Sequence, residues 1–177
     1  IAQLPNFMET KNQPAESNWA SFRNAQLKTA QSVENTAITV NIDLGEWNDI
    51  HPQNKQDVAK RLAFAARKLV YGETNLVASG PVFQSAKIKG NKIEISFSDC
   101  GGGLKTRNGS ELKHFAIAGA DRKFVWAKAV IEAKKVIVWS EEVDNPKFVR
   151  YAWSDNPESA NLWNFEGFPA TPFTTEK

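Results

Sequence analysis

The chain has 177 residues, 41% of them hydrophobic and 24% charged, and 22 basic against 20 acidic side chains leave a net charge of +2. This is a globular composition, and its interspersed charges exclude a nucleic-acid groove or a polybasic membrane patch. No apolar run approaches the roughly 20 residues of a membrane span, and the lone Cys100 excludes an intrachain disulfide.

One cysteine fits a cytosol and fits equally a periplasmic protein that never used disulfides. No zinc-type Cys/His spacing occurs. The chain opens Ile1-Ala2-Gln3-Leu4-Pro5-Asn6-Phe7 without an initiator Met or a signal-peptide core. Ile1 to Leu4 reads as the end of a strand entering a Pro-Asn turn, and the expectation is a processed or truncated chain.

After a polar loop, a helical pattern runs from about Ser17 to Val33, with Trp19, Phe22, Leu27 and Ala30 as a loose apolar stripe. The β-branched run from Thr36 to Ile42 follows and reads as a short strand of an α/β sheet. A second helix is predicted from about Asn54 to Val70. Its residues Val58, Leu62, Ala65 and Leu69 recur on one face, with Pro52 at the entry and Gly72 past the end. Strand end, helix, strand, helix is a fragment of a parallel α/β sheet.

From Ser79-Gly80-Pro81 the period drops to two. Val82 to Lys89, a Gly90-Asn91 turn and Ile93, Ile95 and Phe97 predict a hairpin. Further strands are predicted at Phe115 to Ala118, Phe124 to Val130, Val136 to Trp139 and Phe148 to Trp153. Short strands at this spacing point to a β-sandwich. The aromatic and proline-rich tail from Asn161 to Lys177 is expected to pack as irregular chain. The shift near Glu73 to Gly80 divides the chain into residues 1–75 and 76–177.

Between the first predicted strand and the second helix lies Gly45-Glu46-Trp47-Asn48-Asp49-Ile50-His51-Pro52. His51 is one of two histidines, and it follows a strand, where ligands of α/β sheets gather. A carboxylate bonded to one ring nitrogen fixes the tautomer and frees the other nitrogen as a base. Asp49, Glu46 and Asp43 are the candidate acids, and Asp49 is equally suited to stabilising the turn. His114, at the mouth of a predicted strand, reads as structural or exposed.

No Gly-x-Ser-x-Gly or similar serine turn occurs, so the chain has a candidate base and no candidate nucleophile. Gly101-Gly102-Gly103 reads as a flexible turn rather than a phosphate or oxyanion loop. Trp126, Trp139 and Trp153 are either core aromatics or a sugar-stacking platform.

The octet with Asn54-Lys55 and the helix segment Asp57-Val58-Ala59-Lys60-Arg61-Leu62-Ala63 resembles the catalytic-histidine block of bacterial sialate O-acetylesterases, in the SGNH hydrolase superfamily. The similarity extends from Leu4-Pro5-Asn6-Phe7 and Trp19 to Lys28 through Ser79-Gly80-Pro81-Val82, Phe115 to Asp121 and Arg150-Tyr151-Ala152-Trp153. It ends in Asn161-Leu162-Trp163-Asn164 and Pro169 to Phe173, and so covers essentially the whole chain.

The resemblance implies the C-terminal part of a flavodoxin-like, three-layer α/β SGNH hydrolase domain (1–75) followed by an all-β sandwich (76–177). It implies a periplasmic or extracellular serine esterase that removes acetyl groups from sugars with no cofactor, His51 being the general base and Asp49 its orienting acid. The substrate would be an acetylated sugar, sialic acid, xylan or another glycan, and neither nucleic acid nor membrane is an expected partner. Two features depart from the family. Its usual acid position, three before the histidine, holds Asn48, and its serine block and oxyanion-hole glycine and asparagine are missing. The serine is therefore expected on an upstream part, as a separate chain or a missing segment, and this chain alone is expected to be inactive. Rival readings of residues 79–177 are a non-catalytic carbohydrate-binding sandwich and a structural brace for the esterase domain.

Overall fold

In the computed structural model, which describes residues 1–176, the first regular element is helix α1 (Asn18–Ser32). Ser17 caps it, its hydroxyl accepting from Ala20 N at 2.9 Å. The stripe that packs inward is Ala20, Arg23 and Leu27, one residue round from the expected one, and Phe22 is 55% exposed. Arg23 sets this rotation. Its guanidinium donates to the carbonyls of Leu4, Pro5, Ser154 and Asp155, a set of acceptors that only an inward-facing arginine can reach.

The segment from Thr36 to Ile42 is extended but forms no full strand. It meets Ile1 to Gln3 in one parallel bridge, Ala2 to Thr39, with Gln3 N donating to Thr39 O and Thr39 N to Ile1 O. Val40 and Ile42 are nevertheless buried, in the same core as the sheets that follow.

Helix α2 (Lys55–Leu69) starts one residue after Asn54, whose side chain accepts from Asp57 N at 3.0 Å. Past its end Gly72 takes φ +71°, the left-handed conformation expected there. The expected apolar stripe does not define its buried face. Arg61 is the buried residue of this helix, while Leu62 and Leu69 are 38% and 43% exposed.

Beyond residue 80 the fold is antiparallel. Strands β1 (Val82–Lys89) and β2 (Lys92–Ser98) form the expected hairpin, with Ile93, Ile95 and Phe97 buried. β3 (Leu104–Thr106) and β4 (Phe115–Ala118) follow. The single strand expected at 124–130 is two: β5 (Val125–Trp126) pairs with β4, and β6 (Lys128–Glu132) pairs with β7 (Lys135–Trp139). Ala127 is where the chain passes from one sheet to the other. β8 (Phe148–Tyr151) ends where Ala152 adopts φ +50°. The tail is less irregular than expected, because β9 (Leu162–Asn164) pairs with β3 and β10 (Phe173–Thr174) pairs with β8.

The two larger sheets have strand orders β1-β2-β7-β6 and β10-β8-β4-β5. Their inner residues, among them Ile95, Val136, Ile117, Val149 and Tyr151, make one core cluster with Val40 and Ile42. The chain is thus a mixed α/β fold with mostly antiparallel sheets. Polar contacts also cross from its first residues to its last: Asn6 donates to Asn156, and Arg150 pairs with Glu16 and Glu176.

Candidate active-site loop

The octet loop is held from outside itself. Gly45 N donates to Asn6 Oδ1 at 2.7 Å, and a Cβ at Gly45 would run into the Asn6 carbonyl, so only glycine fits. Asn6 donates to Asn156 Oδ1, Asn156 donates to the Met8 carbonyl, and Met8 N donates to the Trp47 carbonyl. Residues separated by 150 positions in sequence therefore hold the loop in place.

Asp49 serves the turn and the histidine at once. Its Oδ1 accepts from His51 N at 2.8 Å and lies 3.2 Å from His51 Nδ1, while Oδ2 accepts from Gln53 at 3.1 Å. These bonds, the one from the His51 backbone first, hold the Asp49 carboxyl below its ordinary range against the opposing effect of desolvation. A carboxylate at Nδ1 favours the tautomer that leaves Nε2 unprotonated. The His51 side chain is 79% exposed and accessible to a reactant.

The other candidate acids do not reach His51. Asp43 is buried and taken up by Arg61, at 2.7 and 2.8 Å, with Arg107 at 3.8 Å. Glu46 is exposed and meets Asp49 through a backbone bridge only. Asn48, at the position of the family acid, is exposed and makes no side-chain hydrogen bond among the described residues.

No serine is hydrogen-bonded to His51 among the described residues, whose one side-chain partner is Asp49. A serine–histidine contact does occur elsewhere: His114 Nε2 lies 2.9 Å from Ser159 Oγ. Sequence reasoning passed over it because 45 residues separate the two. Burial, with Lys113 adding to it, pulls His114 down to about 4, so this imidazole is neutral at pH 7.

The glycine triplet does form a turn, and its Gly102 amide is occupied, donating to Glu166 Oε1 at 2.8 Å. Of the three tryptophans, Trp139 is half-buried beneath Lys92 and Trp153 is half-buried near Arg150. Trp126 lines a cavity of about 650 Å³ together with His114 and Ser159. No cluster of three or more His, Cys, Asp or Glu suited to a metal occurs among the described residues, and no helix there is long and apolar enough to cross a membrane.

No protein-family model matches the chain. Over 162 residues it is 30% identical to the sialate O-acetylesterase of Mus musculus, and over 154 residues 29% identical to that of Pongo abelii. These matches take in 80% and 78% of the chain but 28% and 29% of the relatives. A solved structure of a carbohydrate acetylesterase from Xanthomonas citri superposes with a TM-score of 0.93 at 44% identity, covering 99% of the chain and 40% of that protein. The chain therefore spans well under half the length of the proteins it matches. Within that span, its sequence and its fold both make it a homologue of the sialate and carbohydrate O-acetylesterases.

Proposed function

We propose that this chain is the base-bearing part of a carbohydrate O-acetylesterase of the SGNH type. The observation that carries the reading is the Asp49–His51 pair, 3.2 Å apart on an exposed loop that follows the extended segment 36–42. In this mechanism His51 Nε2 takes the proton of a serine hydroxyl as the serine oxygen attacks the acetyl carbonyl. It then gives that proton to the departing sugar alkoxide. Water, deprotonated by the same nitrogen, attacks the acetyl-enzyme and releases acetate and the serine. Asp49 keeps the ring oriented and stabilises the imidazolium that forms.

The serine and the oxyanion donors come, on this reading, from a part of the enzyme outside this chain. The exposed apolar run Leu69-Val70-Tyr71 at the end of α2 supports it, since exposed apolar patches mark surfaces that a partner covers. Residues 1–75 would complete a flavodoxin-like three-layer domain with that part, and the two facing sheets of residues 76–177 would be a sandwich bracing it. A periplasmic or extracellular setting suits a substrate of acetylated glycan.

The test is hydrolysis of an acetyl ester by the chain alone, by the chain joined to the serine-bearing part, and by the joined enzyme carrying His51→Ala. The expected pattern is no turnover, turnover, and a loss of at least about 10³-fold. Undiminished activity in the mutant would remove His51 from the mechanism.

A further inference from the structure

The cavity beside Trp126 lies at strands β4 and β5 and the loops next to them, and is absent from the mechanism above. It is lined by Thr10, Lys11, His114, Trp126, Glu158 and Ser159, among others, and measures about 650 Å³, within the range of small-molecule sites. Its parts are fixed in advance. Trp126 is 37% exposed, yet its indole N–H is tied to the Asn12 carbonyl at 2.8 Å, and its ring stands edge-on to His114 at 5.5 Å. His114 sits at φ +62° and receives Ala152 N, itself at φ +50°. Left-handed backbone at non-glycine residues is strained and collects at functional sites.

The chemistry of the lining narrows the ligand. His114 and Ser159 are bonded to each other, and the His114 Nδ1 atom is buried without a partner. Among the described residues no carboxylate orients this imidazole, so the pair lacks the third member of a hydrolytic triad and is suited to binding. Lys11 is paired with Asp155 at 3.6 Å, just outside the lining, and Lys113 and Glu158 are the other charged residues around the cavity. The result is an aromatic wall and a hydroxyl and imidazole pair, with charges of both signs at the rim.

We propose that this cavity is a saccharide subsite, holding one neutral sugar unit of the glycan against Trp126 with its hydroxyls toward Ser159 and His114. The choice of a saccharide rests on the acetylesterase reading, whereas the preorganised cavity does not. The position also fits. Met8 is bonded to Trp47 in the octet and Asn12 to Trp126, so the four-residue step between them spans at most about 14 Å. The segment 8–12 thus ties the wall of the cavity to the octet, and the subsite would favour polymeric over single-sugar acetyl esters.

The chain as it stands can be titrated with β-1,4-linked xylan and glucan oligosaccharides and with N-acetylneuraminic acid, following amide and indole resonances by NMR and affinity by calorimetry. At least one neutral oligosaccharide is expected to shift the Trp126 indole and the His114 and Ser159 signals. Trp126→Ala should weaken that binding about tenfold or more, and His51→Ala should leave it unchanged. Should Trp126→Ala unfold the chain, Ser159→Leu, which removes the hydroxyl and fills the cavity, must abolish binding instead. No shifts at these residues, shifts with N-acetylneuraminic acid alone, or binding indifferent to both cavity variants would each overturn the proposal. Loss of the subsite leaves acetyl-ester hydrolysis by the joined enzyme as a separate result, and failure of hydrolysis leaves saccharide binding standing.

Discussion

At the scale of single residues, two side chains do work that composition conceals. Asp49 is drawn into its role by a backbone bond first and by the imidazole second. Its folded value is depressed, so its contribution is present above the ordinary carboxylate range and is lost as pH falls through that lowered value. An NMR titration of the Asp49 carboxyl should therefore find a midpoint below 3.8, and His51→Ala should reduce that shift, the imidazole being lost while the backbone N–H remains. Arg23 is the second. Burial lowers it to about 9, against the pull of Asp155, and it remains charged at pH 7 while serving four carbonyls. Arg23→Met should cost at least about 3 kcal/mol in urea unfolding, since it strands buried acceptors. Sequence patterning counted this residue as a polar spacer. Nothing local distinguishes an arginine that faces water from one whose acceptors lie 130 residues away.

At the scale of elements, the helices and the hairpin were legible and their faces were not. Both helix spans follow from caps and periodicity, which are local. Which face turns inward depends on what stands opposite, and α2 lays its most apolar stripe largely on the surface. Leu62→Lys and Leu69→Lys should change the stability of this chain by no more than about 0.5 kcal/mol each, as read by urea unfolding. The β8 end makes the opposite case. Tyr151 is fully buried, burial raises its phenol, and its oxygen accepts from Leu162 N at 2.9 Å. Tyr151→Phe keeps the ring and orphans that amide, so unfolding should become easier by about 1–2 kcal/mol.

At the scale of the molecule, the first third of the chain and the sheets share one core. Val40 and Ile42 lie among the sheet residues, and Arg23, Asn6 and Glu16 bind across to residues 150–156. Urea unfolding followed by tryptophan fluorescence and by far-UV circular dichroism should therefore give one coincident transition, and two separated transitions would mean independent units. From its sequence alone, this chain determined where helices start and stop, the β1–β2 hairpin, and a loop in which a histidine follows an aspartate by two. Those features are encoded within a few residues, where capping, period and turn chemistry act. Tertiary structure alone decided that 36–42 stays a single bridge, that 124–130 splits between two sheets, and that Asp49 rather than Asp43 meets His51. It also decided that Ser159 and Trp126 close around His114. Each of these outcomes depends on partners distant in sequence, and competition among such partners for a buried contact is invisible until the chain has folded.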